Sequence, residues 1–427
     1  MPNLTDSPRL RLFFLCMLYI AQGLPFGFVT VGLRDFLHAQ GVTEADTGAM
    51  IAMVGIPWTF KFIWGPIIDR WEFRAMGKRR PWLLMAQGMM LVVILTLALV
   101  PGLRSDVQTL GISILVLNIF IALQDVSTDS LAVDLVPEEH RGRANGFMYG
   151  SSYVGSSLGA IVVGRFLPDS DGNGSVAVAF LVLAALVFAI MWLPLLLRER
   201  PGEKLLPWLP GSAQLHDDEE PAESLRELFR VLGESFRTRV AIFAAVFAVA
   251  AYISVTILSV AGSKFFVSEV GWEAADYSAM QGVSMWLSFG GSVFAGIVVD
   301  RLGIRRGILL SGTILALAWM AFPFFEPLYE SVPFVTGYSF LQSFLLGFMA
   351  ASMFSLFMSI ANKRVAATQF TAYMALLNLS IVTGGKATGW ATDWLPSTPS
   401  LFVAGGVFHL AVMLFLLLAI SSPVRRS

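Results

Sequence analysis

The chain has 427 residues, of which 56% are hydrophobic and only 14% charged, and its mean hydropathy is +0.70. That composition is too apolar and too poor in charge for a soluble domain, which it excludes. The 29 lysines and arginines balance 30 acidic residues, so the net charge of −1 points to no nucleic-acid partner.

A helix that crosses a bilayer needs roughly 20 apolar residues and tolerates few charges at its centre. Twelve such stretches occur, at 12–35, 46–69, 82–101, 109–134, 144–167, 177–197, 238–263, 276–300, 307–326, 333–361, 366–392 and 399–420. The expectation is an all-α membrane protein with twelve transmembrane helices. The first run is too long for a cleaved leader and reads as a retained helix. Cys16, the one cysteine, lies inside it, so neither an intramolecular disulfide nor a multi-cysteine metal site is expected. Of the 29 lysines and arginines, 23 fall in the two tails and in the loops after spans two, four, six, eight and ten. Cytoplasmic loops carry the excess of positive charge, so both termini are expected in the cytoplasm.

The hydrophilic stretch 198–237 after span six divides a first six-helix bundle, 1–197, from a second, 238–427. Within this cytoplasmic linker Leu225, Leu228, Phe229 and Leu232 follow helical spacing. An amphipathic helix on the membrane surface fits that spacing, and a solvated tether fits it equally.

The two halves repeat one another. Residues 34–50 align without gaps to 264–280, sharing Phe, Gly, Ala, Asp, Ala and Met at equal positions. Gly65-Pro-Ile-Ile-Asp69-Arg70 at the end of span two recurs as Gly296-Ile-Val-Val-Asp300-Arg301 at the end of span eight, each followed by a basic cluster. Arg141 and Phe147 pair in the same way with Arg364 and Phe370. A parallel six-helix repeat with nested three-helix subrepeats is the layout of a pseudo-symmetric transporter. A carboxylate at the end of span two or eight can cap a helix N-terminus, and the arginines can meet phosphates or acids nearby, so Asp69, Arg70, Asp300 and Arg301 are expected to form a cytoplasmic gate.

The pattern of Gly65, Asp69, Arg70 and Gly77-Lys-Arg-Arg80, with Gly296, Asp300, Arg301, Gly303, Arg305 and Arg306 as its second copy, resembles the loop signature of the major facilitator superfamily. Gln22-Gly-Leu-Pro25, Phe60-Lys-Phe-Ile-Trp-Gly-Pro66, Arg80-Pro-Trp-Leu-Leu84 and Gln124-Asp125-Val-Ser-Thr-Asp129 are together similar to the peptide, acetyl-coenzyme A and drug transporter family within it. That resemblance implies the major facilitator fold, the bacterial inner membrane and proton-driven uptake of an anionic solute such as an anhydromuropeptide by alternating access. Members of the same family carry acetyl-coenzyme A, siderophores or drugs instead. The broader resemblance covers the whole chain and the narrower one mainly residues 20–130.

Buried charge directs attention to the coupling site, since an ionised residue at the bilayer centre costs about 2.5–3.5 kcal/mol on the insertion scale. Asp125 lies about ten residues, or roughly 15 Å, above the cytoplasmic end of span four. Asp129 follows one turn later on the same face, and Lys61 lies at similar depth in span two. Lys61 is expected to pair with one carboxylate while Asp125 exchanges a proton; a permanent structural ion pair is the alternative. Arg34, Lys264 and Lys386 lie in or beside spans where an anion could meet them, and Gln22, Gln124 and Tyr149 are polar groups suited to a sugar or peptide. Arg34 and Lys264 can equally snorkel to the interface.

The glycines of span five, Gly146, Gly150, Gly155, Gly159 and Gly164, suit close helix approach. Gly155-Ser-Ser-Leu-Gly159 fits a hydrolase motif by letters alone, because it lies within an apolar helix. Histidines are scattered and no phosphate-binding loop occurs, so no catalytic residue, metal site or cofactor is expected. The expected partners are a small solute, protons and the lipid bilayer, and the expected assembly is a monomer. A receptor or assembly factor without transport activity is the rival reading on the same scaffold.

Overall fold

The computed structural model describes residues 3–33, 36–37, 44–71, 73, 75–104, 106–168, 174–205, 225–272, 274–362, 365–395 and 397–419. Among these residues there are helices and two isolated β-bridges but no β-strand. Nine helices among them are long and apolar enough to cross a membrane. The other three expected spans are helical as well, over Glu44–Phe60 with Trp64–Arg70, over Arg141–Leu158, and over Ala366–Trp394. Lysine, aspartate, glycine, serine and threonine dilute these three.

Helix starts follow the local chemistry. The side chains of Ser7, Asp106, Ser175 and Thr238 accept backbone N–H groups of Leu10, Thr109, Ala177 and Ala241, satisfying donors that the first turn leaves free. The linker contains the helix Leu225–Phe236, while residues 206–224 lie outside the described set.

The chain forms two compact units. The first comprises Met1–Val136, Ser151–Leu232 and Asn362–Thr371, and the second Pro137–Gly150, Gly233–Ala361 and Ala372–Ser427. In the first, Phe28, Ile94, Leu117, Ile121, Phe180 and Leu183 form a core drawn from spans one, three, four and six, with Phe28 edge-on to Phe180 at 5.2 Å. Spans one and five approach until glycine meets backbone: Gly155 lies against the carbonyl of Ile20, Gly159 against that of Leu24, and Gly27 against that of Ser156. The second unit centres on aromatic rings, where Phe322 stacks on Phe402 at 4.4 Å and on Tyr329 at 4.6 Å. In that unit spans eight and ten pack through Gly291 and Gly347, and the Ser292 hydroxyl donates to the carbonyl of Gly347 at 3.1 Å. Large apolar side chains such as Leu99, Phe166, Phe324 and Trp394 remain exposed, as a lipid-facing surface requires.

A β-carbon added at Gly159 has no room against Leu24, whereas one at Gly55 meets nothing within 4 Å. Gly159→Ala is therefore expected to cost about 1–3 kcal/mol through overpacking, and Gly55→Ala to be neutral or mildly stabilising. Thermal unfolding of the detergent-solubilised variants checks this; equal midpoints would refute the close approach.

Candidate functional site

The first group of candidate side chains is made by a break in span two. Pro57 removes a backbone donor, helix Glu44–Phe60 ends three residues later, and the chain tightens through the 3-10 turn Lys61–Ile63 before continuing as Trp64–Arg70. That turn buries Lys61, at 2% exposure, while Phe62 and Ile63 face outward. The Lys61 ammonium lies 2.6 Å from Asp125 Oδ2 and 5.2 Å from the centroid of the Trp58 ring. One turn further along span four, Asp129 Oδ1 accepts the Tyr19 hydroxyl at 2.5 Å. Gln124 donates from Nε2 to the carbonyl of Leu18 at 2.8 Å, and the Oε1 atoms of Gln124 and Gln22 are buried without a hydrogen-bond partner.

Charge counting states what this cluster can do. Two carboxylates face one ammonium, so the ionised cluster carries a net −1 and becomes neutral on taking one proton. In surroundings of low dielectric that difference is large. Ser127, Thr128 and Ser130 donate their hydroxyls to carbonyls one turn back, leaving the carboxylates to Lys61 and Tyr19.

A second group lies at the ends of spans two and eight. Asp69 Oδ2 accepts the backbone N–H of Thr368 at 3.1 Å and its hydroxyl at 3.0 Å, at the third residue of helix Ala366–Trp394. Asp300 Oδ1 accepts the N–H of Arg143 at 3.2 Å, at the third residue of helix Arg141–Leu158. Each repeated aspartate thus caps a helix N-terminus, where free N–H groups and the helix dipole favour negative charge. Glycine makes room in both: a β-carbon on Gly65 would lie 2.5 Å from Thr368 Cα, and one on Gly142 would lie 2.7 Å from Asp300 Oδ1. The motif glycines that follow, Gly77 and Gly303, take φ of 106° and 90°, a conformation other residues adopt only with strain.

The structure places Arg79, and not Arg70, on Asp69. Arg79 Nη2 lies 3.0 Å from Asp69 Oδ1, and its Nε lies 2.8 Å from Asp134 Oδ2. Arg70 is half-buried at the end of its helix, and Arg301 is exposed. Asp300 instead meets the Arg143 side chain, 3.4 Å from Nε. Tyr149 lies edge-on to Phe354 at 4.7 Å within the second unit. Lys386 is exposed on helix Ala366–Trp394; Lys264 ends helix Ile253–Lys264 with its side chain outside the described set; Arg34 lies outside it altogether.

Sequence reasoning missed Glu199. Its carboxylate accepts three consecutive backbone N–H groups, from Lys78 at 3.0 Å, Arg79 at 2.7 Å and Arg80, capping helix Arg80–Leu99. Arg80 is buried beside it, donating to the carbonyls of Pro194 at 2.8 Å and Met76 at 3.0 Å. The visible signal was a lone acidic residue among the arginines just past span six. Burial and then the neighbouring Glu203 carboxylate push the Glu199 carboxyl up to about 7, against the three N–H donors that favour its ionised form.

Buried, paired charge within an apolar multi-pass chain is the pattern of a secondary transporter, and the comparisons agree. A sequence profile of the Major Facilitator Superfamily matches residues 13–263 and again 241–427, and the chain belongs to that superfamily. It is 27% identical over 425 residues to the anhydromuropeptide permease of Escherichia coli K12, covering 96% of this chain and 81% of that one. It is 20% identical over 382 residues to a transporter of Rickettsia conorii designated AmpG 4, covering 84% of each. Among solved structures it superposes with a TM-score of 0.70 on the Major Facilitator Superfamily transporter FucP, at 11% identity over 96% of this chain and 99% of the other. The proton:xylose symporter XylE gives 0.68 at 13% identity over 96% of each.

Because Glu199 binds its proton more tightly folded than unfolded, its stabilising contribution is complete below its ordinary value of 4.5 and is lost as pH rises through about 7. Between pH 4.5 and 8 this costs the wild type about 3 kcal/mol relative to Glu199→Gln, which cannot ionise. Unfolding midpoints of the two proteins across that range should diverge toward high pH; parallel curves would show that the carboxyl is not shifted.

Proposed function

We propose that this transporter imports an anionic, sugar-containing solute of the anhydromuropeptide class together with protons. The observation that carries the reading is the buried Lys61–Asp125–Asp129–Tyr19 cluster, in a chain similar along 96% of its length to an anhydromuropeptide permease. Buried charge is costly unless it is used or paired. In the state described, Lys61 holds Asp125, and the carboxylate pair takes up one proton as its cavity changes sides. Neutralising the cluster lowers the cost of a dry, closed intermediate, and releasing Asp125 from Lys61 lets it exchange its proton.

The orphan Oε1 atoms of Gln22 and Gln124 accept hydrogen bonds from the hydroxyl or amide groups of the solute, and Tyr149 is a further solute contact. Arg34, Lys264 and Lys386 meet its carboxylates. The caps made by Asp69 and Asp300 hold the cytoplasmic side shut and break when it opens, with the Arg79–Asp69 and Arg143–Asp300 pairs re-forming on return. The bundles 1–197 and 238–427 are the moving bodies and 198–237 joins them. Both termini face the cytoplasm of a bacterial inner membrane, and the monomer is the working unit.

Labelled anhydromuropeptide presented to proteoliposomes under an inward proton gradient tests this. Wild-type protein should accumulate the label above equilibrium, and Asp125→Asn or Asp129→Asn should abolish accumulation. Accumulation without a gradient, or undiminished in both variants, would sink the coupling role; no uptake by folded, correctly oriented wild type would sink the substrate.

A further inference from the structure

The stretch that follows span six meets the Asp69 cap from both of its ends. At its start, Glu199 holds the backbone of Lys78, Arg79 and Arg80, Glu203 accepts the N–H of Glu199 at 3.0 Å, and the N–H of Lys204 donates to the carbonyl of Ala75 at 2.7 Å. Arg79, fully buried, extends from that anchored backbone to Asp69 and Asp134, and Asp69 accepts from Thr368. At the far end, helix Leu225–Phe236 buries Val231 against Val365, with Leu232 beside them. Val365 immediately precedes helix Ala366–Trp394, whose third residue Asp69 caps. All of these contacts lie within the first compact unit.

We propose that residues 199–205 and helix Leu225–Phe236 clasp the cytoplasmic gate at two points, and that Glu199 is a positioning residue that acts through Arg79 on Asp69. The proposal rests on the reading of the Asp69 cap as part of that gate. A passive tether has no use for a buried carboxylate, whose desolvation is costly. Here the carboxylate fixes a backbone from which one guanidinium must reach two acids in a set geometry, and charge-assisted bonds of this kind are directional. Loss of Glu199 frees that backbone, and Asp69 then loses the counter-charge that keeps it aimed at Thr368. Loss of Val231 removes the apolar seat at the same helix start. The cap therefore opens more easily when either end of the clasp lets go.

Hydrogen–deuterium exchange of the full-length protein in lipid nanodiscs reads this directly, without any substrate. Asp69→Asn should accelerate exchange in the peptide covering 365–373, which establishes that the cap protects it. Glu199→Ala and Val231→Ala should each accelerate exchange in that same peptide by at least about fivefold. Glu199→Gln, which keeps an acceptor, should recover part of the protection. Faster exchange confined to 75–80 and 198–205 in Glu199→Ala, with Val231→Ala unchanged at 365–373, would overturn the clasp while leaving the cap intact. No response to Asp69→Asn would overturn the gate reading beneath it.

Discussion

Charge removed from water must be matched by opposite charge or by donated hydrogen bonds, and this constraint organises the molecule. Lys61, Arg79, Arg80, Asp69, Asp125, Asp129 and Glu199 are all buried, and each meets a partner supplied by a different part of the chain. Those partners are what the folded chain brings together at two levels, one group deep within spans one, two and four, the other at the ends of spans two and three. Apolar packing builds the scaffold, but these matched charges decide which arrangements of it are permitted.

The duplicated aspartates show how a repeat diverges while its physics persists. Asp69 and Asp300 each sit at the third residue of a helix, each beside a glycine, and each is followed by a glycine of positive φ. Their counter-charges differ. Asp69 meets a guanidinium buried completely and shared with Asp134, whereas Asp300 meets an arginine whose side chain is 55% exposed. An exposed pair is screened and contributes little, while a buried one is costly to break. Of the two caps, the one at Asp69 therefore dominates.

Much of this was legible in the residues. Apolar runs marked the spans, because a bilayer imposes length and composition together. Helical rise placed Lys61 and Asp125 at comparable depth, and the structure brings them into contact. The duplicated motif located both aspartates at span ends where helix N-termini were to be found. Arg79's two acids and the Glu199 cap were not legible, since Glu199 lies 120 residues from the Arg79 amide it accepts and no periodicity links them. Arg70 and Arg301 were the adjacent choices, yet adjacency along a helix sends neighbouring side chains about 100° apart. Tyr19 illustrates the same limit: one phenol among several is distinguished only by Asp129, 110 residues away.

The contact between spans one and five carries a consequence for how this chain can change over time. Where Gly155, Gly159 and Gly27 rest on carbonyl groups, the opposing surface is main chain and holds no side chain that could shrink or swing aside. In an ordinary core, a larger residue on one helix can be accommodated by a smaller one facing it. Here no second-site change can make such room, because every amino acid contributes the same carbonyl. Each of these glycines must therefore be retained by itself, without help from a co-varying neighbour.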